Sequence, residues 1–174
     1  MVQARKSGYV PGRDGSGGPG MYIAIVALTM FLLPSASVLI EHAQQPATSI
    51  VFLMGRWFVF WGVGVRLGLA GLRQFLQPAF TAREIFHMSS DEALPLVREL
   101  GVANLATGLV GVLSLTLPGF ILPVSISAGV FYGVAGVRHV AERGRSLNET
   151  VAMVSDLFLA AVLAVSVAAT FLQH

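Results

Sequence analysis

The 174-residue chain contains no cysteine. That excludes disulfides, thiolate metal ligation, thiol catalysis and covalently attached haem c. Charge is scarce as well: Asp, Glu, Lys and Arg make up 11% of the residues, against about 25% in an ordinary soluble domain. Soluble catalytic machinery therefore has almost nowhere to sit. The formal net charge of +2 is the small excess that basic loops give a membrane protein, and it does not point to nucleic acid. His42, His87, His139 and His174 fall in different segments. No HExxH string or i,i+4 pairing joins them, so no metal site is assigned.

What remains is apolar. Hydrophobic residues are 55% of the chain and the mean hydropathy is +0.74, which predicts an all-α integral membrane bundle. Residues 1–20 are rich in Gly and Pro without apolar periodicity and read as a disordered tail. Residues 21–174 form a single bundle with room for five spans of about 20 residues. These are placed at 21–40, 50–75, 95–117, 120–141 and 148–172.

Pro34 removes a backbone hydrogen bond inside the first span and is expected to kink it. The second span is crowded by Trp57, Phe58, Phe60 and Trp61, then thinned by Gly62, Gly64, Gly68 and Gly71. Gly64 and Gly68 have the small-xxx-small spacing that lets a neighbouring backbone approach. Between spans two and three, residues 77–94 mix Phe80, Ile85, Phe86 and Met88 with Arg83, Glu84, Asp91 and Glu92, as suits a segment lying among headgroups. Ser90 is placed to cap the next helix, with Pro95 in its first turn. The minimal turn Pro118-Gly119 should pack spans three and four against each other. A stripe of Ala160, Ala164 and Ala168 on span five permits close helix contact, and the Gly129/Gly133 pair on span four, if it faces outward, points to a homo-oligomer.

Orientation follows from the basic residues. Arg5, Lys6, Arg13, Arg73, Arg83, Arg98, Arg138, Arg143 and Arg145 fall on the amino-terminal side of a five-span bundle. The opposite connections have no Lys or Arg. By the positive-inside rule the amino terminus is cytoplasmic.

Two arginines stand inside the second span. An arginine near mid-bilayer costs roughly 3 kcal/mol on insertion scales, so it normally faces protein or water and has a partner. Arg66 and Arg73 are seven apart, as are Glu149 and Asp156 on span five, and each pair shares one helix face. At ~1.5 Å per residue their depths match. An Arg66–Asp156 contact is predicted, with Arg73–Glu149 as a second rung and with Glu99 and Asn104 of span three joining the cluster. Either these groups neutralise one another and fix helix order, or they line a polar cavity. There Asp156 or Glu99 exchanges a proton, or Arg66 holds an anionic head group. Arg56 is expected to snorkel outward in preference to meeting Glu41. Trp57 and Trp61 are read as belt and packing residues.

The strings RWFVFWGVGVRLGLAGLRQFLQPAFTAREIF, VRELGVANLATGLVGVLSL, FYGVAGVRHV and ETVAMVSDLF resemble, in order and over about residues 50–165, a bacterial family of multi-pass membrane proteins known as domain of unknown function 6790. That resemblance implies a membrane location and no activity. A looser similarity links Gly71 to Pro78, and Glu99 at the opening of the next span, to DoxX-like four-helix membrane proteins, some of which are associated with quinone-linked oxidation of small sulfur compounds. An extra first span and the lack of cysteine set this chain apart from them. Two functions are carried forward. The first is a non-catalytic accessory or oligomer-forming bundle. The second is a small transporter or a quinone- or lipid-binding redox component built on the buried cluster. No cofactor is assigned.

Overall fold

A computed structural model describes residues 19–85, 88–141 and 144–172. The expected tail up to residue 18, with Arg5, Lys6 and Arg13, lies outside the described residues, as do Phe86, His87, Arg143 and His174. Among the described residues, five helices are long and apolar enough to cross a membrane: α1 (Gly20–Gln44), α2 (Ile50–Leu76), α3 (Asp91–Leu113), α4 (Pro118–Ala141) and α5 (Leu147–Leu172). With 23 to 27 residues each, they run about 35–40 Å, enough to clear a hydrocarbon core of about 30 Å. Short connections make neighbours run oppositely. The end of the bundle where α1 begins is called proximal here, and the other end distal.

Helix α2 is the hub and touches all four other helices. Its apolar face packs Phe58, Val59, Val63 and Leu67 against Val26 and Met30 of α1, Val124, Ala128 and Tyr132 of α4, and Leu159 and Leu163 of α5. Outside this core the helices expose large apolar side chains such as Leu39, Leu109, Val130 and Val137. In water such a surface would aggregate, whereas a bilayer covers it at no cost.

The packing partners differ from the expectation at the Pro118-Gly119 turn. Helix α3 lies chiefly on α2, and α4 chiefly on α5. The cause is a glycine seam between α2 and α3. A Cβ added to Gly108 would stand 2.6 Å from the Cα of Gly68, and one added to Gly111 would stand 2.7 Å from the Gly64 amide nitrogen. At Gly71 it would meet the Leu105 amide nitrogen at 2.5 Å. Backbone therefore touches backbone along three turns, a contact that only residues without a side chain permit. By contrast, Gly129 and Gly133 look inward: a Cβ added to them would stand 3.7 Å from the Cβ of Leu163 and 3.8 Å from that of Ala160. That stripe is spent on α5 and is not an outward oligomerisation face. Ala164 and Ala168 are the exposed small residues instead.

Two helices carry widened π turns, at Leu28–Leu32 in α1 and Val59–Val65 in α2. The first lies just ahead of Pro34, and the Leu33 amide reaches back five residues to the Leu28 carbonyl. Such a turn accommodates the ring of Pro34, which would otherwise collide with a carbonyl of the preceding turn. Between α2 and α3 the chain turns through Pro78–Phe80 and Thr81–Ile85. Thr81 and Ala82 are buried, which anchors this segment to the bundle, while Arg83 and Met88 are exposed. The Ser90 hydroxyl accepts from the Glu92 amide, and Pro95 occupies the first turn of the helix that follows.

Candidate functional site

The π turn of α2 ends at Arg66, whose amide bonds the carbonyls of Trp61 and Val63 and skips Gly62. The released Gly62 carbonyl accepts the Tyr132 hydroxyl of α4 at 3.0 Å. A backbone acceptor left open inside an apolar bundle would be costly, so the π turn and the buried tyrosine require each other. Tyr132 in turn presents its ring 5.5 Å from the Arg66 guanidinium carbon, within cation–π range. On the other side Arg66 Nη1 donates to Asp156 Oδ1 of α5 at 3.1 Å. The side chains are 13% and 9% exposed, so the pair is closed within the protein. Tyr22 of α1 and His139 of α4 are near enough to act electrostatically on Arg66 and Asp156 respectively. Four helices therefore converge on one ion pair.

The expected second rung takes another form. The Arg73 guanidinium lies 3.8 Å from the centre of the Phe80 ring. Glu149 Oε2 accepts the Ser146 amide at 2.6 Å, while the Ser146 hydroxyl accepts the Glu149 amide at 3.3 Å. This is a reciprocal capping box at the start of α5. Local partners, a ring seven positions further along the chain and an open helix terminus, outcompete the cross-bundle pair. Asn104 is buried, and its Nδ2 donates to Gln74 Oε1 of α2 at 2.8 Å, away from Arg66. Glu99 is exposed and does not join the cluster. It stands nine positions from Gly108, half a helical revolution away, and the glycine seam fixes which face of α3 turns inward.

A second charged layer lies near the distal end. Arg56 does not snorkel: its Nη1 donates to Glu41 Oε1 of α1 at 2.6 Å, and its Nη2 reaches the Leu115 carbonyl at 3.4 Å. Trp57 Nε1 donates to the other oxygen of Glu41 at 2.6 Å, and Trp61 Nε1 donates to Ser37 Oγ at 3.1 Å. The tryptophans thus pin α1 to α2 with hydrogen bonds, beyond their expected packing role.

Beside the inner pair, α3 and α4 part and leave a crevice of about 250 Å³. Leu67 of α2, Asn104 and Ala103 of α3, and Ser127 and Phe131 of α4 line it. Sequence reasoning missed this crevice and the role of Tyr132. The one available signal was that Tyr132 and His139 share a face of α4, seven positions apart.

A family model described as "Family of unknown function (DUF6790)" matches residues 21–173. No curated protein and no solved structure matches the chain.

Proposed function

We propose that this chain, which belongs to the DUF6790 family, is a non-catalytic accessory component of a membrane that acts through helix packing and assembly. The observation that carries this reading is the closure of the Arg66–Asp156 pair, 3.1 Å apart and almost wholly buried. A group poised for cargo presents an open face, and this pair spends itself on the protein. Arg56 and Glu41 repeat the pattern at the distal layer. In this reading Arg66, Asn104 and Asp156 hold helix order, and the bundle meets its partners, further copies or a larger membrane complex, through its apolar exterior. The proximal end faces the cytoplasm of a bacterial inner membrane. Arg73, Arg83, Arg98, Arg138 and Arg145 all lie there, whereas residues 43–49 and 114–119 at the distal end contain no Lys or Arg.

A second reading, a small transporter or quinone-binding redox component, draws on the gathering of Tyr22, Tyr132 and His139 around the ion pair. Native mass spectrometry of the gently extracted protein separates the two, comparing the wild type with an Arg66→Leu/Asp156→Leu variant. The accessory reading expects the same oligomers or partner proteins from both. A quinone held by the wild type and lost from a folded double variant would overturn it.

A further inference from the structure

We infer that the crevice between α3 and α4 is a binding site for one phospholipid of the proximal leaflet, its acyl chain in the crevice and its phosphate on Arg138. Three observations carry this. First, the void of about 250 Å³ is open at its mouth and is lined by residues of the spans, where the bilayer supplies hydrocarbon to fill it. Its walls are chiefly Leu67, Leu100, Ala103, Ala128 and Phe131, with the Asn104 amide, whose Nδ2 is given to Gln74 Oε1. The hydroxyls of Thr107 and Ser127 at its edge are already given to the carbonyls of Ala103 and Val124. The lining therefore suits a hydrocarbon and leaves those hydroxyls no unmet polar demand.

Second, the charge stands where a headgroup would be. Arg138 lies seven positions from Phe131 and eleven from Ser127, which places all three on one face of α4. It is exposed, and among the described residues it has no acidic partner. Third, the depths agree. Along the helix, Phe131 is about 10 Å and Ser127 about 16 Å below Arg138. One leaflet of hydrocarbon is about 15 Å deep. A chain hanging from a phosphate at Arg138 therefore ends in the crevice. Glu99 is the acidic group nearest in depth on α3. It is exposed and sits to the side of the crevice face, about a quarter turn from its centre line.

The inference is independent of the accessory reading, since neither Arg66 nor Asp156 takes part. Its test is lipid retention. The full chain is reconstituted into vesicles of phosphatidylcholine with a minority of phosphatidylglycerol, extracted in mild detergent and weighed by native mass spectrometry. A parallel preparation adds ubiquinone to the vesicles. The wild type is expected to keep one phospholipid per chain. Arg138→Gln should lower that retention several-fold, and Ala103→Phe should abolish it. Ser127→Leu, a second way of filling the void, should also abolish it. Ala103 and Ser127 face the void and not the core, so the fold survives, as helical circular dichroism will verify. Arg98→Gln, on another face of α3, should change nothing. A wild type that holds no phospholipid, or variants that hold it as the wild type does, would overturn the proposal. Retention of quinone in place of phospholipid, blocked by Ala103→Phe yet indifferent to Arg138→Gln, would overturn it too.

Discussion

Substitution of Gly108 by alanine tests the glycine seam most directly. The added methyl would lie 2.6 Å from the Cα and 2.7 Å from the amide nitrogen of Gly68, and 3.0 Å from the Gly64 carbonyl oxygen. All three are backbone atoms, so no rotamer change can relieve the contact. Ordinary contact needs about 3.5–4.0 Å, and α2 and α3 must therefore separate locally by about 1 Å. Such overpacking typically costs about 1–3 kcal/mol. The upper part of that range applies here, because the displacement also loosens the neighbouring contacts at Gly64 and Gly111. Offsetting it, alanine is the better helix former by about 1 kcal/mol in water. The internal control is Gly133→Ala, whose methyl would meet the Ala160 Cβ at 3.8 Å, an attractive distance. Reversible unfolding in mixed micelles, followed by circular dichroism, should show Gly108→Ala less stable than the wild type by about 1–2 kcal/mol and Gly133→Ala equal or more stable. Equal stability of the two variants would refute backbone contact as the reason that α3 lies on α2.

Other consequences can be checked in the same assay. Arg66→Leu leaves Asp156 buried without its partner and should cost about 3–5 kcal/mol, with much of the loss recovered in Arg66→Leu/Asp156→Leu. Tyr132→Phe removes the bond to the Gly62 carbonyl, worth about 1 kcal/mol, and hydrogen exchange should rise locally across Val59–Val65. Ser146→Ala breaks the capping box and should lower stability by about 1 kcal/mol, with faster exchange confined to the first turn of α5. Glu41→Gln removes the anion that holds Arg56 and Trp57. Tryptophan emission should shift to the red as Trp57 loses its fixed partner, and an unchanged spectrum would contradict the distal layer described above.

The Arg66–Asp156 contact was legible in the sequence because mid-membrane charge is rare and depth can be counted in residues. Depth is only half of a position, however. Glu99 sits at a plausible level but on the wrong side of α3, since azimuth is set by Gly101, Gly108 and Gly111, whose partner helix no single sequence announces. Arg73 and Glu149 also match in depth, yet each finds a nearer partner. The string Ser146-Leu-Asn-Glu149 carries the capping-box pattern openly. Tyr132 could not have been tied to Gly62, because the π turn that frees the carbonyl has no residue signature. Residue order alone ranks the Arg56–Glu41 pair below snorkelling. The side-chain carboxylate binds both Arg56 and Trp57 at once, a two-donor arrangement that a count of pairs does not anticipate.

The two acid-paired arginines of α2 also differ in when they can be satisfied. Arg56 meets Glu41 across 15 residues of sequence and Arg66 meets Asp156 across 90. During synthesis the acid for Arg56 has already emerged when the arginine does, so the α1–α2 hairpin can close its distal layer as it enters the lipid. Arg66 must wait until α5 arrives. For that interval the chain carries an unmatched cation at the depth of the hydrocarbon, held in an insertion site or drawn toward the interface. A chain that stops short of Asp156 would keep that cation unmatched, so the inner layer cannot form on α1 to α4 alone.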